Sequence, residues 1–87
     1  MDINEIRNRI DEVDERLLKA FIERMRLSEE VAEYKQQNSL PLENSAREQA
    51  VLQKVQDNSG EYQQYAQEFF NTLIKLSKDR QCELLEG

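Results

Sequence analysis

The residues of this chain that could do chemistry are a few cations placed where a helical pattern calls for something else, and Arg24 is the first. Ile3, Ile6, Ile10, Val13, Leu17, Ala20, Leu27, Val31 and Tyr34 step by threes and fours, the spacing of a helix seam packed against partner helices. The slot between Ala20 and Leu27 on that seam holds Arg24. A permanent charge among apolar neighbours is costly without a partner, so Arg24 is expected to meet an anionic ligand or an ion-pair partner. Lys35 follows 11 residues later, close to three turns, on nearly the same face and about 16 Å away along the axis. Two long side chains reaching toward each other from these positions would close on a small dianion.

Other polar residues extend the pattern. Arg7 lies 17 residues before Arg24, roughly 25 Å along the helix, too far to share a site within one helix. In an antiparallel pair of such helices, Arg7 of one chain approaches the Arg24 region of the other. On spacing alone, Arg7 and Lys35 read first as solvated surface charges. Ser45-Ala-Arg-Glu48 matches a capping box, so the simpler role for Glu48 is to cap a helix. Arg47 in that first turn opposes the helix dipole, so another interaction is expected to retain it. Ser77 and Gln81, at i and i+4, continue the row of Leu73; they either line a polar cavity or mark where the row meets water. Tyr62, Phe69 and Phe70 read as core, and Cys82 as an inert small residue.

These side chains need helices to hold them. The first helix is expected from Ile3 to about Gln37, with Asp2 or Asn4 as its cap and no Gly or Pro within it. Residues 38–44, with Pro41, form the first connection. A second helix carries Ala50, Val51, Leu52 and Val55 and stops before Asp57-Asn58-Ser59-Gly60. A third runs from Glu61 to about Leu84, with Tyr62, Tyr65, Ala66, Phe69, Leu73 and Leu76 on its buried side. The fold class is therefore all-α, long, short and long, in one domain over residues 1–87. Roughly 34 residues of helix span about 50 Å, while a compact chain of this size has a radius of gyration of about 12 Å. The first helix must project past its own globule, and its exposed half needs another chain to cover it.

Composition narrows the function. The chain has 87 residues, 34% charged, with two Gly and one Pro, which favours helices over sheets. A net charge of −6 argues against nucleic acid and anionic membranes as partners, so an anionic ligand must be caught by local cations. The absence of His rules out imidazole catalysis, and with one Cys it argues against a zinc site. That single Cys82 allows no internal disulfide, and neither a signal-peptide pattern nor an apolar span of membrane length is legible. A cytoplasmic protein is expected.

Taken together, the chain resembles the all-helical class of chorismate mutase over nearly its whole length. The stretches that carry the resemblance are Ile6-Arg7-Asn8-Arg9-Ile10-Asp11-Glu12-Val13-Asp14, Leu17-Leu18, Glu23-Arg24, Val31, Lys35, Pro41, Arg47-Glu48 and Ser77-Lys-Asp-Arg-Gln81. No single piece is specific; their order and spacing over three helices are. The resemblance implies an intertwined homodimer with two active sites, each using residues of both chains, and no cofactor. Its substrate would be the dianion chorismate. It further implies that Arg24 binds a substrate carboxylate, joined by Arg7 from the other subunit. Lys35 and Gln81 would hydrogen-bond the ether oxygen of the breaking bond. Glu48 would hold the substrate hydroxyl, and Arg47 and Ser77 would complete the polar wall. Asn44 departs from the pattern, because the family often has Asp there; a side-chain contact at that position would be altered. Two other readings compete: isochorismate pyruvate-lyase, which shares the fold, and a non-catalytic helical dimerisation module in which Arg24 serves a structural ion pair.

Overall fold

A computed structural model describes residues 2–86, the last by its backbone alone. Helix α1 covers Ile3–Gln37, α2 Ser45–Asn58 and α3 Gln63–Glu86, with a 3₁₀ turn at Gly60–Tyr62 leading into α3. No strand occurs among the described residues. Both long helices and the first connection lie where the sequence places them.

The ends of α1 are set by local chemistry. The Asp2 side chain accepts from the Asn4 backbone N–H at 3.2 Å, satisfying one of the free donors at the helix start. At the other end Ser39 takes φ +53°, the left-handed region. Its N–H bonds back to the Gln36 carbonyl, and the Leu40 N–H bonds to the Lys35 carbonyl at 2.8 Å. This pair of reversed bonds is the Schellman arrangement. It turns the chain sharply, so that residues 40–44 pass back over the end of α1.

Two features of the second and third helices differ from the expectation. The cap of α2 is Asn44, whose side chain accepts from the Arg47 N–H at 3.1 Å, and not Ser45. Asn and Ser cap with similar strength, and here Asn44 has a non-helical backbone, φ −139° and ψ 86°, as a cap requires. Glu48 therefore sits one position too far along to close a capping box. Along the 3₁₀ turn and α3, Tyr62, Tyr65, Phe69 and Leu76 are exposed within the chain, while Leu73, Ile74, Ser77 and Gln81 are buried. The buried face is rotated by roughly a quarter turn from the predicted one, at about 100° per residue, with Leu73 on the edge shared by both.

The chain covers itself poorly. Among the described residues, the buried hydrophobic ones are Ala32, Leu73 and Ile74. The radius of gyration is 16.1 Å and the long axis 55 Å, because α1 runs well past the other two helices. Every described residue up to Ala20 is exposed, including Ile3, Ile10, Val13 and Leu17 of the seam. The accessible surface is 7252 Å², against about 5,400 Å² for a compact monomer of this mass. What does pack is the second half of α1 against the second half of α3, with α2 laid against α3. That corner is where the cleft forms.

Candidate active site

The Arg24 side of α1, the start of α2 and the middle of α3 enclose a cleft of about 280 Å³. Arg24, Ser28, Val31 and Lys35 are at i, i+4, i+7 and i+11, one row down α1, so a straight helix presents all four to the same opening. The α2 cap places Asn44, Arg47 and Glu48 on the second wall, and Ile74, Ser77, Lys78 and Gln81 of α3 form the third. Of the residues singled out from the sequence, Arg24, Lys35, Asn44, Arg47, Glu48, Ser77 and Gln81 all line this one cleft. Arg7 does not. It lies on the projecting half of α1, exposed and remote from the cleft of its own chain.

Charge in the cleft runs opposite to that of the whole chain. Four cations and one carboxylate line it. Among the described residues, Arg24, Lys35 and Arg47 have no carboxylate within 4.0 Å, whereas Lys78 pairs with Glu48 at 3.0 Å and Glu43 at 3.1 Å. Hydrogen bonds to Glu48, and then to Glu43, hold the Lys78 ammonium above the usual lysine range. The expected capping role of Glu48 is thus replaced by a contact across to α3. Among the described residues the Arg24 guanidinium finds only a backbone partner, donating from Nη1 to the Leu73 carbonyl at 3.4 Å. Lys35 Nζ donates to the Leu42 carbonyl, the folded-back connection supplying its acceptor. Carbonyl oxygens orient these cations without neutralising them, so their charge remains available to an anion.

The Ser77–Gln81 alternative resolves toward the cavity: their exposures are 9% and 6%. Gln81 Nε2 donates to Ser77 Oγ at 3.3 Å, while Gln81 Oε1 is buried without a hydrogen-bond partner among the described residues. Asn44 spends its side-chain oxygen on the helix cap, a role that Asp would fill equally well.

Two polar lining residues escaped the sequence reading. Ser28 packs against Ser77 and is 6% exposed; its place one turn after Arg24, on the Lys35 row, was the available signal. Lys78 was hidden because its partners Glu43 and Glu48 are 35 and 30 residues away.

A cleft of unneutralised arginines and lysine with a buried amide on its far wall can grip a small dianion and stabilise negative charge growing between its ends. Comparison with known proteins gives the same direction. The chorismate mutase type II family model matches residues 6–82. The chorismate mutase of Methanocaldococcus jannaschii is 33% identical over 85 residues, an overlap of 94% of this chain and 86% of that protein. No solved structure matches the chain significantly.

Proposed function

This chain belongs to the chorismate mutase type II family, and from that membership we propose that its cleft rearranges chorismate to prephenate using residues of two copies of the chain. The function is that of a chorismate mutase, an isomerase serving phenylalanine and tyrosine synthesis. The reaction is an intramolecular Claisen rearrangement. One C–O bond breaks while one C–C bond forms within the same molecule, so neither a nucleophile nor a cofactor is needed. The enzyme must hold the diaxial conformer in which the two ends of the allyl vinyl ether meet. It must also stabilise the negative charge that develops on the ether oxygen.

The observation that carries this assignment of roles is the gathering of three unneutralised cations with Gln81 and Ser77 around one cleft. Arg24 clamps a substrate carboxylate through its fixed fork of donors, and Arg47 with Ser77 completes the wall around the dianion. Lys35 and Gln81 donate to the ether oxygen. Glu48 accepts from the substrate hydroxyl, with its carboxylate oriented by Lys78. Arg7 enters from the second copy. Support for that copy is the uncovered seam of α1 together with the exposed Tyr65, Phe69 and Leu76 face of α3 and the adjoining Tyr62, whose burial would supply the core that one chain lacks. Among the described residues no helix is long and apolar enough to cross a membrane.

Incubating the purified protein with chorismate should yield prephenate. Product from isochorismate alone, released as salicylate and pyruvate, would place the chain with the lyases, and no turnover of either compound would remove catalysis from this cleft.

Gln81→Glu gives a sharper view of the oxygen donor. A carboxyl there can donate to the ether oxygen only while protonated; ionised, it opposes the developing charge and repels the substrate carboxylates. The reference pKa is about 4.3, and burial together with substrate anions raises it. Activity of the variant should therefore be greatest in acid and be lost as pH rises through the shifted value. The amide of the unmodified protein does not titrate, so its profile should lack this transition. Superimposable turnover profiles, with helicity followed by circular dichroism, would move Gln81 out of the reacting centre.

A further inference from the structure

The geometry points to Ser28 as a positioning residue: through Ser77 it fixes which end of the Gln81 amide is turned toward Ser77. The inference rests on the proposed role of Gln81 as a donor to the ether oxygen, and its physical basis is the polarity of one hydrogen-bond chain. Ser28 Oγ lies 3.0 Å from the Arg24 carbonyl. A carbonyl only accepts, so the single hydroxyl proton of Ser28 is spent there. Ser28 Oγ also contacts Ser77 Oγ, and the proton in that contact must then come from Ser77. With its proton committed, the Ser77 oxygen can only accept from Gln81, and of the two amide atoms only Nε2 can give.

The chain of bonds thus runs one way, from Gln81 Nε2 through Ser77 and Ser28 to the Arg24 carbonyl. It uses one hydrogen of the Gln81 amide and leaves the second for the ether oxygen. Among the described residues nothing else holds this orientation, because Gln81 Oε1 is buried without a partner there. A buried orphan carbonyl favours an amide flip that would find it a donor. Without Ser28, the Ser77 hydroxyl is free to donate to Gln81 Oε1, and the flipped amide becomes competitive. The chain also begins at the backbone of Arg24, so the oxygen donor is registered against the same turn of α1 that carries the carboxylate clamp.

The test is a double-mutant cycle read by steady-state kinetics on the intact protein, with helicity and sedimentation verifying each variant. Ser28→Ala should lower kcat by about 5-fold, the weight of one neutral hydrogen bond, with KM changed less than about two-fold. In a Gln81→Ala background the same change should cost less than about 1.5-fold, since the residue it acts through is gone. Ser28→Thr should restore most of the loss, because a helical Thr hydroxyl can bond to the carbonyl four residues back. An unchanged kcat in Ser28→Ala, or the same loss in both backgrounds, would overturn the relay and leave the assignment of Gln81 standing. Full activity in Gln81→Ala is a different result: it would overturn the assignment of Gln81, and the relay with it.

Discussion

Lys35→Ala is expected to lower kcat by on the order of 10²–10³-fold while changing substrate affinity much less. The ammonium meets an oxygen that carries little charge in the bound substrate and considerably more as the C–O bond lengthens. An interaction that strengthens along the reaction lowers the barrier rather than the ground state, and losing one such donor costs about 3–4 kcal/mol. The structure holds the donor ready for that work. Lys35 is tethered by the Leu42 carbonyl, which the Schellman turn at Ser39 brings back over the end of α1. A tethered ammonium needs little reorganisation when charge appears. Removing it should not unfold the chain, because Lys35 is half-exposed and holds no carboxylate among the described residues. Single-turnover rates and inhibitor affinity should be measured side by side. Equal losses in both would make Lys35 a carboxylate anchor, and Gln81 would then be the principal oxygen donor.

Arg7→Ala and Arg24→Ala should each abolish most of the activity, and mixing the two should restore part of it. Each arginine is proposed to clamp the same dianion from a different subunit, so either loss leaves a substrate charge unmet, at about 2–3 kcal/mol or more than 30-fold in kcat/KM. A heterodimer of the two variants has one site with both arginines and one with neither. Random pairing makes half the dimers mixed, and activity should recover to roughly a quarter of the unmodified value. Refolding the chains together ensures exchange, and sedimentation should give about twice the 10.3 kDa chain mass. A fully active monomer, or mixtures no better than the separate variants, would show that Arg7 acts within its own chain or outside the site. The distance argues against the former: Arg7 lies on the uncovered half of α1, away from the cleft that Arg24 lines.

Much of this molecule is decided locally, and that part was legible. Helix periodicity, Pro41, a cap at Asp2 or Asn4 and the break at residues 57–60 depend on neighbours within one or two turns, and the observed elements begin and end within a few residues of those signals. Arg24 stood out for the same reason: a charge on an apolar seam is visible without knowing what lies across from it. The projecting α1 followed from length alone, since 35 helical residues cannot be wrapped by the remaining chain.

What only the tertiary structure decided are contacts made across helices. The buried face of α3 is rotated away from its Tyr and Phe side, and periodicity marks that side as apolar without indicating whether it meets the same chain. Asn44 and Ser45 were both competent caps, and the backbone path through the preceding connection chose Asn44. That one-residue shift released Glu48 to Lys78 on another helix. The Ser28–Ser77–Gln81 chain joins residues 49 positions apart through single hydroxyl protons, and its direction exists only once α1 and α3 are in register. Short-range rules set which helices form and which charges are out of place; the pairing of those charges, and the polarity of the bonds around them, depends on how the helices are rotated about their axes.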